Sequence, residues 1–205
     1  MKNEKIVIFG DSYSTFEGYV PEGYAWYYPK ADVTDVSRTW WDMLANETES
    51  EIVLNDSWSG STLCNMGYEG DCSKTNSFIC RLTKLIDEGF FRKNKVDRVF
   101  VFGATNDSYI EVPAGELIFD HWTEDDLKMI LPGVSYFIKK LLEAVPEESV
   151  HFIVNTDLRE EVSKGISKIC DHYHVKYTVL SDIEKVQGHP TYQGMISIKN
   201  QVISN

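Results

Sequence analysis

The feature that most limits the folds open to this chain is a recurrence. Five short runs rich in Val, Ile and Phe, at residues 5–9, 51–54, 98–102, 150–154 and 176–180, are each bounded by turn residues. Short apolar runs of this kind predict strands buried within a sheet. Between them lie stretches with helical spacing. Phe78, Ile79, Leu82, Leu85 and Ile86 share one face, as do Val134, Phe137, Ile138, Leu141 and Leu142, and then Leu158, Val162, Ile166, Ile169 and Tyr173. Strands alternating with amphipathic helices predict parallel βαβ crossovers with helices on both faces of one sheet, so the predicted fold class is α/β. The 205 residues suit one domain, large enough to bury a core without staples, and no linker, repeat or low-complexity tract divides residues 1–205.

Local signals refine this outline. Ser37 is a plausible N-cap for a helix carrying Trp40, Trp41 and Leu44 toward the core. Thr123 followed by Glu124, Asp125 and Asp126 reads as a second helix start, with acids where the helix dipole favours them. Residues 19–36 and 108–122 stay irregular, and connections of that length in a compact domain are more often functional than accidental.

Charge and cysteine usage exclude several function classes. With 32 acidic against 20 basic residues and a net charge of −12, the chain lacks the Lys and Arg excess that phosphate-rich partners require, so nucleic acid and anionic membrane surfaces are not expected partners. No apolar stretch approaches the roughly 20 residues that span a bilayer. Met1-Lys2-Asn3-Glu4-Lys5 enters the first strand directly and does not read as a signal peptide. The four cysteines, Cys64, Cys72, Cys80 and Cys170, form no CxxC pair and read as free thiols, which favours a cytoplasmic location; a trimmed export signal would leave the same sequence.

Against this background four segments stand out. Gly10-Asp11-Ser12 ends the first apolar run and presents a hydroxyl where an α/β sheet usually places its ligand crevice. Leu54-Asn55-Asp56-Ser57-Trp58-Ser59-Gly60-Ser61 follows the second run, Gly103-Ala104-Thr105-Asn106-Asp107 ends the third, and Gly188-His189-Pro190 lies near the C-terminus. Each alone is an ordinary turn. Together, in this order, they resemble the four blocks of the SGNH (GDSL-type) hydrolase family, over nearly the whole chain. The resemblance implies a flavodoxin-like three-layer α/β/α sandwich with a five-stranded parallel sheet of order 2-1-3-4-5. It also implies a serine esterase with Ser12 as nucleophile, His189 as base, and Ser12, Gly60 and Asn106 as oxyanion donors, needing no cofactor or metal.

The chemistry fits these residue types. A serine hydroxyl needs a base to remove its proton, and histidine titrates near neutral pH. His189 is the best of five candidates, because it lies in a turn-rich loop after the fifth run with Gly188 and Pro190 to stiffen its backbone. His151 lies inside a strand pattern, His121 is equally well a surface residue, and His172 and His174, at i and i+2, do not share a helix face and so do not read as a metal pair. One departure stands out: the family usually carries an Asp three residues before its His, and this chain has Val186. Glu184 or Asp182 could orient His189, or a backbone carbonyl could do so and leave a Ser-His dyad. The aromatic residues Tyr19, Tyr24, Trp26, Tyr27, Tyr28, Trp58 and Trp122 either line the mouth of a cleft or pin long loops to the core. The expected substrate is a small-molecule or carbohydrate ester with a short acyl group. The resemblance also admits lysophospholipase or thioesterase activity, and the missing acid admits a decayed, carbohydrate-binding protein on the same fold.

Overall fold

The computed structural model of the protein describes residues 3–205. β1 (Lys5–Gly10) is followed by a long irregular segment, then α1 (Trp40–Glu47) and β2 (Glu51–Ser57). A small hairpin of β3 (Met66–Gly67) and β4 (Gly70–Asp71) precedes α2 (Phe78–Asp87), the short α3 (Phe90–Lys93) and β5 (Arg98–Phe102). One-turn α4 (Thr105–Tyr109) sits at the end of β5, and α5 (Ile130–Leu142), β6 (Val150–Val154), α6 (Glu160–His172) and β7 (Lys176–Val179) continue the alternation. A second hairpin, β8 (Lys185–Val186) with β9 (His189–Pro190), leads into α7 (Tyr192–Ser204).

The five long strands pair in parallel in the order β2-β1-β5-β6-β7, which is 2-1-3-4-5 counted over those five, as the resemblance implies. Successive strand residues point to opposite faces. Val7, Phe9, Val99, Val101 and Phe152 pack beneath α2, α5 and α6, whereas Ile6, Ile8, Phe100, Phe102 and Ile153 pack beneath α1 and α7. Both faces are covered, which is why these strands read as unbroken apolar runs. Because β1 lies between β2 and β5, the crevice beyond its carboxyl end is the switch point of the sheet. Among the described residues no helix is long and apolar enough to cross a membrane.

Two helix starts differ from expectation. The hydroxyl that caps α1 belongs to Thr39, which accepts from the Asp42 amide; Ser37 lies inside a 3₁₀ turn over Val36–Arg38 capped by Asp35. Both are good capping residues two positions apart, so residue type alone does not choose between them. Thr123 and Asp126 do cap each other, at 2.6 to 3.2 Å, but the turn they close is the 3₁₀ segment Asp126–Lys128, and α5 starts later. The stretch expected to be irregular from residue 108 begins inside α4.

One buried charge fastens the switch point. Arg81 on α2 and Asp56 on β2 are each 2% exposed, with Nη1 2.7 Å from Oδ2. Nη1 also donates to the Asp56 carbonyl, Nη2 to the Gly10 carbonyl at 3.3 Å and to Ser61 Oγ at 3.1 Å, and Nε to the Asn76 carbonyl at 3.1 Å. The guanidinium thus joins the ends of β1 and β2, the loop after β2 and the approach to α2. A buried ion pair is costly to break from one side, because the remaining charge has neither water nor partner. Arg81→Met is therefore expected to lower stability by about 3–5 kcal/mol in urea unfolding, and Arg81→Met with Asp56→Leu to recover much of that loss. No recovery in the double variant would show that the bonds to Gly10 and Ser61, rather than the ion pair, carry the stabilisation.

Candidate active site

Ser12 leaves β1 in a tight turn. Asp11 caps the 3₁₀ segment Ser12–Ser14 by accepting from the Tyr13 amide, and the Ser12 carbonyl accepts from Thr15 Oγ1 at 3.1 Å. Beneath the turn, the Trp40 indole donates to Ser14 Oγ at 3.1 Å and Asn55 Nδ2 to the Ser14 carbonyl at 2.9 Å. The nucleophile candidate therefore sits on backbone held from below by α1 and β2.

Gly60 follows β2 with φ +80, a left-handed conformation that glycine adopts without steric cost, and a side chain there would meet open space. Asn106 lies on α4, where its Nδ2 donates to the Ser61 carbonyl at 2.9 Å and its Oδ1 accepts from the Tyr68 hydroxyl at 3.0 Å. Those two bonds fix which way the amide points and leave its second N–H free to meet a developing negative oxygen. The neighbouring Asp107 is fully buried and accepts from the Leu63 and Cys64 amides at 2.9 to 3.0 Å. Burial pushes its carboxyl up, and the two backbone bonds oppose that. Asp107 ties the loop carrying Gly60 to the helix carrying Asn106.

His189 is the first residue of β9. The β8–β9 hairpin turns through Gln187 (φ +51) and Gly188 (φ +77), the paired left-handed conformation of a tight two-residue hairpin. His189 Nε2 lies 3.0 Å from Ser12 Oγ, and Nδ1 lies 3.2 Å from the Gln187 carbonyl. A proton on Nδ1 donated to that carbonyl leaves Nε2 as the acceptor facing Ser12. Burial lowers the His189 pKa below its ordinary value; the Gln187 bond opposes this, and Lys30 and Lys185 reinforce it. The imidazole is thus neutral and able to accept a proton at neutral pH.

Neither acid considered from the sequence reaches His189. Glu184 accepts instead from Thr191 Oγ1 at 2.5 Å, supporting the cap of α7, and Asp182 is exposed. Val186 pairs directly with His189 across the hairpin, so the position where the family carries its acid lies in the opposing strand. The alternative with a backbone carbonyl is the one the structure contains. His151 is buried against Thr178 Oγ1 at 2.8 Å, with burial pushing its pKa down to about 3, and His172 stacks on Phe119. Among the described residues no cluster of His, Cys, Asp or Glu could hold a metal ion.

Ser12, Asn106 and His189 line one cavity of about 390 Å³ together with Tyr68, Tyr109 and Asp157. Gly60 lines an adjoining recess of about 430 Å³ with Trp58, Glu69 and Asn76, and Tyr68 at the β3–β4 turn forms part of both walls. Tyr68, Gln187, Asp157 and Lys185 were not singled out from the sequence. Lys185 Nζ bonds Asp157 at 2.5 Å, Thr156 Oγ1 at 2.8 Å and Asn155 Oδ1 at 3.1 Å, anchoring the histidine hairpin to the end of β6. A Gln-Gly pair before His-Pro was a readable hairpin signal; the others depend on contacts between distant segments.

Comparison with known proteins establishes the family and the fold. The sequence model of the family described as GDSL-like lipase/acylhydrolase matches residues 4–205. The chain belongs to that family. A candidate GDSL-like lipase from Bacteroides ovatus is similar at 36% identity and a TM-score of 0.90, over 100% of this chain and 98% of its own. Another, from Bacteroides uniformis, is similar at 39% identity and a TM-score of 0.89, over 98% of this chain and 94% of its own. An acetyl xylan esterase from the rumen bacterium Butyrivibrio proteoclasticus shares the fold at 16% identity and a TM-score of 0.63, over 100% of this chain and 63% of its own. No curated protein matches the sequence. Membership makes this GDSL-like protein an ester hydrolase.

Asp11 carries a measurable signature of the site's burial. Burial pushes its carboxyl up to about 6, against the opposing bonds from the Tyr13 amide and the Thr105 side chain. A folded-state pKa above the unfolded value of 3.8 gives stability that is fully present below that pH and lost as pH rises through about 6. The loss is on the order of 3 kcal/mol by neutral pH. Asp11→Asn keeps an acceptor for the Tyr13 amide but does not titrate. Urea unfolding from pH 4 to 7 is expected to show wild type losing stability relative to this variant, and a pH-independent difference would refute it.

Proposed function

We propose that the protein hydrolyses short acyl esters of polar alcohols, with O-acetylated carbohydrates as the favoured class, through an acyl-enzyme on Ser12. The observation that supports this best is the 3.0 Å contact between Ser12 Oγ and His189 Nε2, with Nδ1 committed to the Gln187 carbonyl. In the first half-reaction Oγ attacks the ester carbonyl carbon as its proton passes to Nε2. The negative oxygen that results is held by the backbone amides of Ser12 and Gly60 and by Asn106 Nδ2. The imidazolium returns the proton to the departing alcohol oxygen as its bond to carbon breaks. Water then repeats the sequence: His189 takes one of its protons, the hydroxide oxygen joins the acyl carbon, and Ser12 regains its proton as the carboxylic acid leaves.

The substrate class follows from the walls. None of the residues lining the Ser12 cavity is aliphatic: they are Ser, Thr, Asn, Asp, Gln, Gly, His and three tyrosines. The tyrosine rings offer apolar surface beside the polar groups, and a cavity of about 390 Å³ with no aliphatic wall suits a short acyl group. The recess beyond Gly60 pairs Trp58, tilted at 34° against Tyr24 with ring centroids 4.2 Å apart, with polar Glu69 and Asn76, which suits a sugar ring as the alcohol. That a fold relative is an acetyl xylan esterase agrees with this class.

Ser12→Ala is expected to abolish hydrolysis of p-nitrophenyl acetate while remaining folded, and Asn106→Ala to lower kcat by about 10² to 10³ with little change in KM. Asp182→Asn and Glu184→Gln should stay close to wild type, because neither acid meets His189. The pH profile of kcat/KM should climb an acid limb whose midpoint lies below the ordinary histidine value of about 6.5 and then level off. A full collapse of activity in Glu184→Gln, or a midpoint above that value, would overturn the dyad.

Substrate preference has its own measurement. Rates on p-nitrophenyl acetate, butyrate, octanoate and palmitate should fall along the series, with acetate released from acetylated xylan or acetylated monosaccharides. Trp58→Ala should raise KM for the sugar ester about 2- to 10-fold more than for p-nitrophenyl acetate. Rates rising toward palmitate, with no acetate released from sugar, would eliminate the carbohydrate class and leave the Ser12 chemistry standing.

A further inference from the structure

We propose that Tyr27 is the positioning residue of His189: its ring face holds the imidazole plane and stabilises the imidazolium, the second task that a carboxylate performs in a triad. The inference rests on the reading of His189 as the base and extends it to a residue outside the four motif blocks. The Tyr27 and His189 rings lie face to face, with centroids 3.5 Å apart and planes 5° from parallel. Two neutral aromatic rings avoid that registry, because their negative faces repel and offset or edge-on arrangements are better. A cation over the same face is attracted to it. His189 is neutral at rest and becomes cationic as it takes the Ser12 proton, so the contact is poorest in the resting enzyme and best as the transition state forms. An interaction that strengthens along the reaction raises kcat rather than substrate affinity.

The local structure holds the stack in place. The Tyr27 amide donates to Thr15 Oγ1 at 2.9 Å, and Thr15 Oγ1 donates to the Ser12 carbonyl at 3.1 Å, so the ring beneath the base is built on the nucleophile's own turn. Tyr28, edge-on to Tyr27, donates from its hydroxyl to the Pro190 carbonyl at 2.7 Å, and the Tyr13 hydroxyl donates to the Gly188 carbonyl. Residues on both sides of His189 are thereby anchored. The charged surroundings give the face something to offset. Lys30 Nζ lies 4.6 Å from the Tyr27 centroid, Lys185 Nζ lies 5.2 Å from the Tyr13 centroid, and both disfavour the imidazolium. The Tyr13 ring is 5.4 Å from His189, and the nearby Asp157 carboxylate is bound to Lys185. With the Gln187 carbonyl on Nδ1 and Ser12 on Nε2, the Tyr27 face is the favourable surface left for the charge.

The test separates a π face from mere cover. Tyr27→Leu and Tyr27→Met keep an apolar side chain over His189 and remove the face, whereas Tyr27→Phe and Tyr27→Trp keep it. The His189 ring pKa is read in each by NMR titration of the imidazole, and kcat and KM are measured with p-nitrophenyl acetate. The aliphatic variants should titrate about 0.4 to 1.5 pH units lower and lose about 3- to 30-fold in kcat with KM little changed. Phe and Trp should restore both readouts. Equal His189 pKa values in the aliphatic and aromatic variants, or equal losses of kcat in Phe and Leu, would overturn the proposal. The titration needs no turnover, so a wild type that failed to hydrolyse any ester would defeat the functional reading and still leave the stack decided.

Discussion

The site depends on one guanidinium. Arg81 reaches from α2 to the ends of β1 and β2 and to the loop that follows β2, the segments that lead into Ser12 and Gly60. Parallel strands diverge at their carboxyl ends as the sheet twists, and the open crevice there is what makes the position useful. Arg81 donates to two carbonyls at these strand ends, that of Asp56 and that of Gly10, which also accepts from the Trp58 amide at 3.1 Å. Its ring partner Phe78, 4.4 Å away, closes the apolar side of the charge. Asp107 does the complementary task as an acceptor, gathering backbone amides of the same loop from the β5 side. One buried guanidinium and one buried carboxyl therefore bracket the Gly60 loop, each satisfied mostly by backbone.

What the sequence made legible was what strand and turn chemistry writes locally. The five strands were readable because burial on both faces leaves no polar alternation, and Ser12, Gly60 and Asn106 were readable because they end three of those strands in turn-forming residues. Helix starts were less legible, because Ser37 and Thr39 can both cap and only packing of the indoles of Trp40 and Trp41 decides which does. Tyr68 and Lys185 were invisible as site residues, and Tyr27 was legible only as one of several aromatics able to line a cleft or pin a loop. Each acts on a segment far away in the chain, and a single tyrosine or lysine in a loop carries no local signature of the partner it will meet. The aromatic segment over residues 19–36 was read as either a cleft lining or a loop anchor. It turns out to be divided residue by residue, with Tyr28 anchoring, Tyr27 against the imidazole and Trp26 exposed.

The departure at Val186 also has a physical account. A tight hairpin places the residue three before the histidine directly across the ladder from it, where a side chain projects beside the imidazole's own strand. Valine there offers no acceptor, and the short turn brings the Gln187 peptide carbonyl to Nδ1 instead.

That carbonyl belongs to the peptide link of Gln187, and this changes what variation can do to the enzyme. A carboxylate that orients a histidine is lost by a single base change and is silenced by acid. A peptide oxygen is subject to neither: every amino acid has one, and it does not ionise at any pH a protein survives. The orienting group is thus not lost with a side chain, although Gln187 (φ +51) and Gly188 (φ +77) must keep the left-handed backbone that aims it. The Gln187 side chain, which also borders the cavity, is released from any duty toward the imidazole. Position 187 is therefore a place where a side chain can reshape the cavity wall without removing the carbonyl at Nδ1.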